Sequence, residues 1–442
     1  MVIQMKRLIY QNLLEWKKNT NKKPLMVYGA RQVGKSYILE EFCKNEYDNY
    51  VMIDLKKQET YKILFESKKD FENIFEEFKL RLSNEIDIES PNSIIFFDEI
   101  QLCPNLIAYL KYFCEDHNNI NIICAGSLLG TMLSREEVFV PTGKVWELTM
   151  YPMNFEEFLI ALNKEAYVTK IRNCYTKNQK MGEFLHDELI NLYKIYTYVG
   201  GMPESILSFI NSDCKLSNYD DNILKGIIRK YMEDMNQYVK NNTETLKIKE
   251  VYENIANQLG NTSNKFQPAK INKNRRMDDY LTAINWLYTS KLILRCYLVS
   301  LPEEPIKVYS NTDTFKLFTS DCGLLAQLTN LQKSNLFDDK NRIFKGIIAE
   351  NYVATQLIFN DILLYYWLSG NEAEIDFIVE LKDGVIPIEV KSGNNKKAKS
   401  LKTYMEKYNP EYGIRVSLGD FSYDARTKIK EIPLYAVFCI KY

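Results

Sequence analysis

The chain has 442 residues, which at roughly 100–200 residues per domain predicts two to four domains. Only two of these residues are histidines, and this disfavours a histidine-rich zinc site, a Cys-His protease and a Ser-His-Asp hydrolase. Lys and Arg number 57 and Asp and Glu 58, so the bulk charge gives no sign of a polyanion-binding protein. Any catalysis is expected to use carboxylates, lysine, backbone amides or an oxygen-bound divalent metal.

The cysteines and the hydropathy pattern indicate a cytoplasmic protein. The nine cysteines include no CxxC pair, and their odd number argues against a complete disulfide set, so we expect buried free thiols. The N-terminal residues are too polar for a signal peptide. No window approaches about 18 consecutive apolar residues, so no association with a membrane is expected.

The first 154 residues alternate predicted helices with strands. An amphipathic helix is predicted over 2–18, and further helices at 35–44, 70–85 and 104–117. Short apolar runs predict five strands, at 24–28, 50–55, 93–99, 120–127 and 144–150. Strands that are separated by helices and apolar on both faces predict a parallel sheet covered on its two sides.

A phosphate-binding loop follows the first predicted strand. Its eight residues fit the pattern G-x-x-x-x-G-K-[ST] and open a helix: Gly29, Ala30, Arg31, Gln32, Val33, Gly34, Lys35 and Ser36. Glycines let the backbone amides turn toward phosphate oxygens, and the helix start adds partial positive charge. Lys35 is expected to reach the β- and γ-phosphates of ATP, and Ser36 to supply an oxygen to Mg²⁺.

Polar residues at the ends of three further strands complete the predicted site. Asp98 ends the third strand and is expected to help hold Mg²⁺, while Glu99 would direct the attacking water. Ser127 ends the fourth strand; it either senses the γ-phosphate, if that strand lies between the first and third, or caps the next segment. Asp54 ends the second strand and is interpreted chiefly as a turn residue; the alternative is that it orients Glu99 or a water. Arg135 is a weak candidate for contacting transition-state charge.

After residue 154 the predicted elements change. Residues 155–240 are predicted to be helical with a break at 199–205, and 241–335 to form a winged-helix-like unit with helices at 246–259 and 277–289 and a strand at 291–300. Residues 245–300 contain nine Lys and Arg residues and four Asp and Glu residues, which gives a net charge of +5. This charge suits contact with DNA; the alternative is an inter-domain packing module with a solvated basic side. Residues 336–442 contain a helix and three strand-like runs, the last two joined by a hairpin at Lys382-Asp383-Gly384.

Five segments in order, GARQVGKS, IIFFDEIQ, AGS, YPMNFEEF and VGGMPE, resemble a large prokaryotic family of AAA-type P-loop ATPases. The segments KLFTSDCGLL, GIIAENYVA, EIDFIV and PIEVKSG resemble the uncharacterised C-terminal region of the same family. The resemblance implies ATP and Mg²⁺ as cofactors. Where such proteins often have Gly-Arg before the fifth strand, this chain has Gly143-Lys144, which weakens any arginine-finger assignment at that position.

A second site is predicted near the C-terminus. Asp376, Glu389 and Lys391 lie on neighbouring predicted strands, and Glu350 lies on the preceding helix. This set resembles the restriction-endonuclease-like fold, in which carboxylates hold Mg²⁺ and a lysine positions water for phosphodiester cleavage. A scaffold used only for binding is the alternative. Lys396, Lys397, Lys399 and Lys402 follow this set and would suit a phosphate backbone or a solvated helix face.

The sequence thus predicts an α/β protein with a parallel-sheet P-loop ATPase core (1–154), a helical lid region (155–240), a winged-helix-like domain (241–335) and a small α/β restriction-endonuclease-like domain (336–442). We expect an ATPase that couples hydrolysis to DNA binding or processing. The alternative is a nucleotide-switched binding module for DNA or a protein partner, with an inactive nuclease-like domain.

Overall fold

A computed structural model describes residues 5–67, 69–127, 141–239, 241–260, 265–338, 342–370, 373–393 and 399–441. The chain divides into two compact units. The N-terminal unit comprises Lys6–Tyr151 with Thr289–Lys291, and the C-terminal unit comprises Pro152–Tyr288 and Leu292–Tyr442 with Met1–Met5. No helix among the described residues is both long and apolar enough to span a bilayer. All nine cysteines are free, and most are buried, as the sequence predicts.

The N-terminal unit is an α/β layer structure built on one parallel sheet. Its strands are β1 (Leu25–Tyr28), β2 (Asn49–Asp54), β3 (Ser93–Asp98), β4 (Asn121–Gly126) and β5 (Trp146–Thr149), in the order β2-β3-β4-β1-β5. Its helices are α1 (Ile9–Lys18), α2 (Lys35–Glu46), α3 (Glu59–Phe65), α4 (Phe71–Leu82) and α5 (Pro104–Glu115). All of the strand pairs are parallel, so every strand ends at the same edge of the sheet.

The sequence prediction of this unit needs two corrections. The first helix begins at Ile9 rather than at residue 2, and Arg7, which lies before it, donates from its side chain to the Val33 carbonyl oxygen of the phosphate loop. Helix α3 was not predicted from the sequence. It covers the core through Leu64 and Phe65, and the Phe65 ring packs edge-on against Phe97 of β3.

The C-terminal unit begins with helices and continues with a mixed sheet. The helices are α6 (Phe155–Ala161), α7 (Glu165–Lys177), α8 (Glu183–Val199), α9 (Pro203–Asn211), α10 (Asn222–Tyr238), α11 (Asn242–Leu259), α12 (Pro268–Ile271), α13 (Asp278–Thr289), α14 (Cys322–Leu328), α15 (Arg342–Phe359) and α16 (Lys399–Tyr408). The strands are β6 (Ile293–Val299), β7 (Ser310–Thr319), β8 (Tyr365–Ser369), β9 (Ala373–Leu381), β10 (Gly384–Val390), β11 (Gly413–Ser417), β12 (Ser422–Asp424) and β13 (Ile429–Pro433).

One eight-stranded sheet combines the last two predicted segments. Its order is β12-β13-β11-β10-β9-β8-β6-β7, so β6 and β7 from 241–335 extend the sheet formed by 336–442. Strands β9 and β10 pair in antiparallel fashion from Leu381 and Gly384, as the hairpin signal predicts. Strand β10 then pairs in parallel with β11 after the crossover helix α16. The three segments predicted after residue 154 therefore share one compact unit.

Candidate functional site

The phosphate loop of the N-terminal unit joins the end of β1 to the start of α2. Gly29 has φ 153° and Gly34 has φ 93°, values that favour glycine. A Cβ atom on Gly29 would lie 2.2 Å from the carbonyl oxygen of Met150, so no larger residue fits there. The loop thus takes the shape that aims backbone amides at an anion in front of the α2 N-terminus.

Lys35 lies inside this loop. Its Nζ donates to the carbonyl oxygens of Gly29 at 2.9 Å and Ala30 at 2.8 Å, and the side chain is buried. Burial lowers the pKa of Lys35 to about 8, although the charges of Glu99 and Asp98 oppose the shift. A phosphate in the loop would replace the two carbonyl contacts with charged oxygens and restore the ordinary pKa.

Asp98 and Ser36 lie together beside the loop. The Ser36 hydroxyl donates to the Asp98 carboxylate, which also accepts the Glu99 amide at 3.0 Å. Burial raises the pKa of Asp98, and the neighbouring charge of Glu99 adds to the shift. Two oxygen ligands of the kind that Mg²⁺ prefers are therefore adjacent. Among the described residues, no group of three or more His, Cys, Asp or Glu side chains is arranged to hold a metal by itself, so waters and phosphate oxygens would complete a coordination shell here.

Glu99 follows β3 in the left-handed backbone region, at φ 54°. Its carboxylate contacts the buried amide of Gln101, which lies on the 3₁₀ turn that precedes α5. That contact fixes the carboxylate beside Lys35 rather than in open solvent. Gln101 is a site residue that the sequence interpretation missed, although it stands three residues after Asp98 in the FFDEIQ segment.

Ser127 directly follows β4, and β4 lies between β3 and β1. This is the strand order on which the sensor interpretation depends. The Ser127 hydroxyl is buried and has no hydrogen-bond partner among the residues that the structure describes. Burying a hydroxyl without a hydrogen-bond partner lowers the stability of the fold. A ligand oxygen at this edge of the sheet would supply the missing partner.

Two of the remaining candidates of this unit are paired within the protein. Asp54 accepts the amides of Lys56 and Lys57 and pairs with the Lys57 side chain at 2.8 Å, which fits a turn residue. Lys144 precedes β5 at the opposite edge of the parallel sheet and binds Glu115 at 2.7 Å, so it cannot contact a nucleotide in its own loop. Arg135 lies outside the described residues.

Arg7 is a second residue that the sequence interpretation missed. Its guanidinium is buried and donates to the carbonyl oxygens of Val33 and Tyr151, both at 2.7 Å. These bonds connect the phosphate loop to the segment after β5. The sequence around it shows only the basic pair Lys6-Arg7 ahead of the apolar run LIY.

We expect Arg7→Ala to destabilise the N-terminal unit by about 2–3 kcal/mol, because two carbonyl groups lose charge-assisted donors. ATP affinity should fall together with stability, since the loop loses its tether. Thermal unfolding and calorimetric ATP titration measure the two effects. Arg7→Lys keeps the charge but lacks the planar fork of donors, so its stability and ATP affinity should lie between those of Arg7→Ala and the wild type. An unchanged ATP affinity in Arg7→Ala would contradict the tethering role.

The second predicted site lies in the C-terminal unit. Strand β9 carries a bulge opposite Tyr366, at Asp376 and Phe377. Asp376 Oδ2 accepts the Val390 amide at 2.7 Å, and the Lys391 ammonium contacts the Glu389 carboxylate. The structure therefore brings Asp376, Glu389 and Lys391 together.

Two residues of this cluster were not predicted. Lys316 of β7 is fully buried, with Glu374 Oε1 at 2.5 Å and Glu350 Oε2 at 3.7 Å. The signal for Lys316 was a charge inside the apolar run FKLFT, and that for Glu374 was its spacing of two from Asp376. Burial raises the pKa of Glu350 to about 8 and that of Glu389 to about 7.

Comparison with known proteins gives three family matches. Residues 21–159 match an AAA domain, residues 190–335 a domain of unknown function (DUF8612), and residues 345–437 a second domain of unknown function (DUF4143). Residues 21–159 are an AAA-type P-loop ATPase domain. Curated protein sequences give no significant match.

Several solved structures resemble the chain distantly. The Walker-type ATPase PABY2304 of Pyrococcus abyssi is 15% identical, with 74% of this chain and 96% of that chain covered and a TM-score of 0.46. The ORC2 protein of Aeropyrum pernix, solved in ADPNP-ADP complexes, is 12% identical, with 77% and 91% covered and a TM-score of 0.34. The ORC1 protein of Aeropyrum pernix in complex with DNA is 10% identical, with 74% and 94% covered and a TM-score of 0.30.

Proposed function

We propose that this chain hydrolyses ATP in a Mg²⁺-dependent reaction and couples the hydrolysis to DNA binding or processing by its C-terminal unit. The observation that carries the ATPase part is the meeting of the phosphate loop, the Ser36–Asp98 oxygen pair and Glu99 at one edge of the sheet. Lys35 would bind the β- and γ-phosphates, Ser36 and Asp98 would hold Mg²⁺, and Glu99 would orient the attacking water. When bound, Mg²⁺ would neutralise charge on the phosphate oxygens.

Phosphate release from ATP by the purified chain tests this proposal. We expect turnover with Mg²⁺ and none with excess EDTA. Turnover that is insensitive to EDTA would contradict a magnesium-dependent ATPase.

The order of elements in 242–319 supports the DNA part of the proposal. Helices α11, α12 and α13 are followed by the antiparallel strands β6 and β7, and the amide of Phe266 bonds to the carbonyl of Phe315 on β7. We interpret this order as that of a winged helix, in which α12 and α13 would be the helix-turn-helix. The loop between β6 and β7 would be the wing.

Some cations of the basic segment 245–300 already have partners within the protein. Lys247 pairs with Glu244 at 2.7 Å, Arg275 with Asp279 at 3.3 Å, and Arg295 packs over the Tyr288 ring. The exposed cations of this segment without a carboxylate within 4 Å, among described residues, fall in the short stretch 265–276 that contains α12: Lys265, Lys270, Lys273 and Arg276. A phosphate backbone is the partner that such a cluster would take.

We expect replacement of these four cations by glutamine to weaken DNA binding and to reduce the slope of log K against log salt by about three to four, roughly 0.9 for each lost phosphate contact. Fluorescence anisotropy with duplex DNA between about 50 and 200 mM salt measures both. The matched control replaces four exposed lysines elsewhere in the same unit, Lys170, Lys177, Lys180 and Lys215. Equal losses in the two variants would contradict a dedicated surface.

Phosphodiester cleavage is the second candidate function, favoured by the approach of Asp376, Glu389 and Lys391. Glu389 Oε2 is buried and has no hydrogen-bond partner in the described part of the chain, which suits a bound cation. Plasmid or single-stranded DNA incubated with Mg²⁺ or Mn²⁺ tests this candidate. Cleavage that survives Asp376→Ala would not belong to this site.

A nucleotide-switched binding module is the alternative to processing. In that case ATP occupancy changes the affinity for DNA or for a protein partner, and no strand is cut. DNA binding that depends on ATP, without cleavage, would favour this alternative. A complete lack of DNA affinity at low salt would favour a protein partner.

A further inference from the structure

The turn that follows β3 carries a buried amide side chain. Residues Ile100–Leu102 form a 3₁₀ turn, and Ile100 and Cys103 belong to the hydrophobic core of the N-terminal unit. Between them, Gln101 is only 1% exposed. The Leu102 amide donates to the Glu99 carbonyl oxygen at 2.9 Å and closes the turn. The packing of the neighbouring residues therefore fixes the position of the Gln101 side chain.

The two ends of the Gln101 amide have different surroundings. Its Nε2 donates to the Glu99 carboxylate, which can only accept hydrogen bonds when it is ionised. Its Oε1 is buried and has no hydrogen-bond partner in the part of the chain that the structure describes. An unpaired buried oxygen lowers the stability of the fold, and an apolar side chain of similar length would avoid that loss. The packing of the turn thus gives no reason for a glutamine here, whereas the contact with Glu99 does.

Glu99 is constrained through its backbone as well. Its φ of 54° lies in the left-handed region, which is unfavourable for a glutamate, and its amide donates to the Asp98 carboxylate at 3.0 Å. Backbone of this kind persists only where the surrounding structure holds it, and it is common at active sites. The charge of Glu99 affects the pKa of Lys35 more strongly than that of Asp98 does. The held carboxylate therefore acts on the lysine that would bind the γ-phosphate.

We propose that Gln101 is a positioning residue for ATP hydrolysis: its amide nitrogen holds the Glu99 carboxylate in the orientation in which Glu99 takes a proton from the attacking water. The inference rests on the proposed ATPase function and adds the residue that orients the base. Because its oxygen stays unpaired, the Gln101 side chain supports turnover while it lowers stability. Hydrogen-bonded partners behind the ligands of metal sites contribute a factor of about 10 to 100 to affinity or activity, and we expect the same range here.

Gln101→Met in the full chain tests this inference, because methionine keeps the length of the side chain without the amide. We expect single-turnover hydrolysis at saturating ATP to slow by about 10- to 100-fold, with the ATP dissociation constant within about threefold of the wild type and no fall in the thermal unfolding midpoint. A residue needed only for folding would give the reverse, a lower midpoint and an unchanged rate in the folded protein. Gln58→Met is the matched control. It removes the bond of an exposed glutamine to the Asp54 amide at the end of β2, 2.9 Å long, and should leave the rate within about twofold.

A double-mutant cycle tests whether Gln101 acts through Glu99. In the Glu99→Gln background the base is already absent, so the addition of Gln101→Met should change the single-turnover rate by less than about twofold. A further tenfold loss in that background would overturn the proposal. A wild-type rate in Gln101→Met would overturn it too, and so would a faster rate, which would mean that the contact holds Glu99 away from the reaction.

A second variant covers the case in which Gln101→Met does not fold. Gln101→Asn keeps an amide on a side chain that is shorter by one methylene and therefore loses the contact with Glu99, so the same rates are expected from it. Failure of the proposed function gives a different result. Wild-type hydrolysis in Glu99→Gln would contradict the role of the base itself, whereas slow hydrolysis in Glu99→Gln together with a wild-type rate in Gln101→Met would contradict only the role of Gln101.

Discussion

Glu99→Gln is expected to lower the rate of ATP hydrolysis at least about 100-fold, because a positioned general base contributes a factor of about 100 to 10,000. Glutamine keeps the shape of the side chain and can still contact Gln101, but it cannot accept a proton from water. ATP binding depends on the loop and on Lys35, so the ATP dissociation constant should stay within about threefold of the wild type. Single-turnover hydrolysis and calorimetric ATP titration separate the two effects.

Two variants serve as controls for this result. Lys35→Ala should abolish ATP binding, since the loop would lose the cation that reaches the β- and γ-phosphates. Asp54→Asn changes a carboxylate at the end of the neighbouring strand, where it is held by the turn amides and by Lys57, and it should leave turnover within about twofold. Wild-type turnover in Glu99→Gln, or an equal loss in Asp54→Asn, would contradict the role of Glu99.

The ATPase core could be predicted from sequence because its signals are local. Apolar runs that end in polar residues such as Asp98 and Ser127 indicate parallel strands, and the GxxxxGKS spacing predicts the geometry of the phosphate loop. The strand order could not be predicted in this way, since periodicity does not indicate which strands are neighbours. The order places β4 beside β1 and so puts Ser127 near the loop. Lys144 lies at the far edge for another reason, because it precedes β5, which runs parallel to β1.

The C-terminal unit was harder to predict because its interactions connect distant parts of the chain. Lys316 contacts Glu350 and Glu374 from a strand that precedes both by more than 30 residues, and no spacing rule links them. Alternation along β9 predicts that Asp376 shares a face with Glu374. It predicts neither the bulge at Asp376 nor the bond that this carboxylate accepts from the Val390 amide. Arg7 and Gln101 were missed for a similar reason, since their roles depend on partners brought close only by folding.

Two segments that carry the family resemblance, VGGMPE and KLFTSDCGLL, are joined by buried hydrogen bonds that stabilise the fold. The Asp321 carboxylate accepts the Gly201 amide at 2.5 Å and the Leu324 amide at 2.9 Å, which joins VGGMPE to the start of α14. A Cβ atom on Gly201 would lie 2.0 Å from the Met153 carbonyl oxygen, and one on Gly323 would lie 2.7 Å from that of Val199. The glycines of both segments thus permit close backbone packing around Asp321.

Asp321→Ala should therefore be among the most destabilising single changes in the C-terminal unit. It removes a helix N-cap and leaves the buried Gly201 amide without its acceptor, a combined loss of about 2 kcal/mol or more at pH 7. Burial raises the pKa of Asp321 to about 6, above the value of about 3.9 in an unfolded chain. Between these pH values the folded state binds more protons than the unfolded state, so the contribution of Asp321 to stability grows as the pH falls.

The loss caused by Asp321→Ala is consequently expected to increase toward about 4 kcal/mol near pH 4.5, within the limit of about 1.4 kcal/mol for each unit of pKa shift. Urea unfolding of the variant and the wild type between about pH 4.5 and 7 measures the difference, in which the other buried carboxylates cancel. Asn241 caps α11 in the same unit through exposed bonds to Thr243 and Glu244, so Asn241→Ala should cost only about 1 kcal/mol, with no such pH dependence. A loss in Asp321→Ala that matches this control, or that shrinks as the pH falls, would show that the carboxylate does not hold the two glycine-rich segments together.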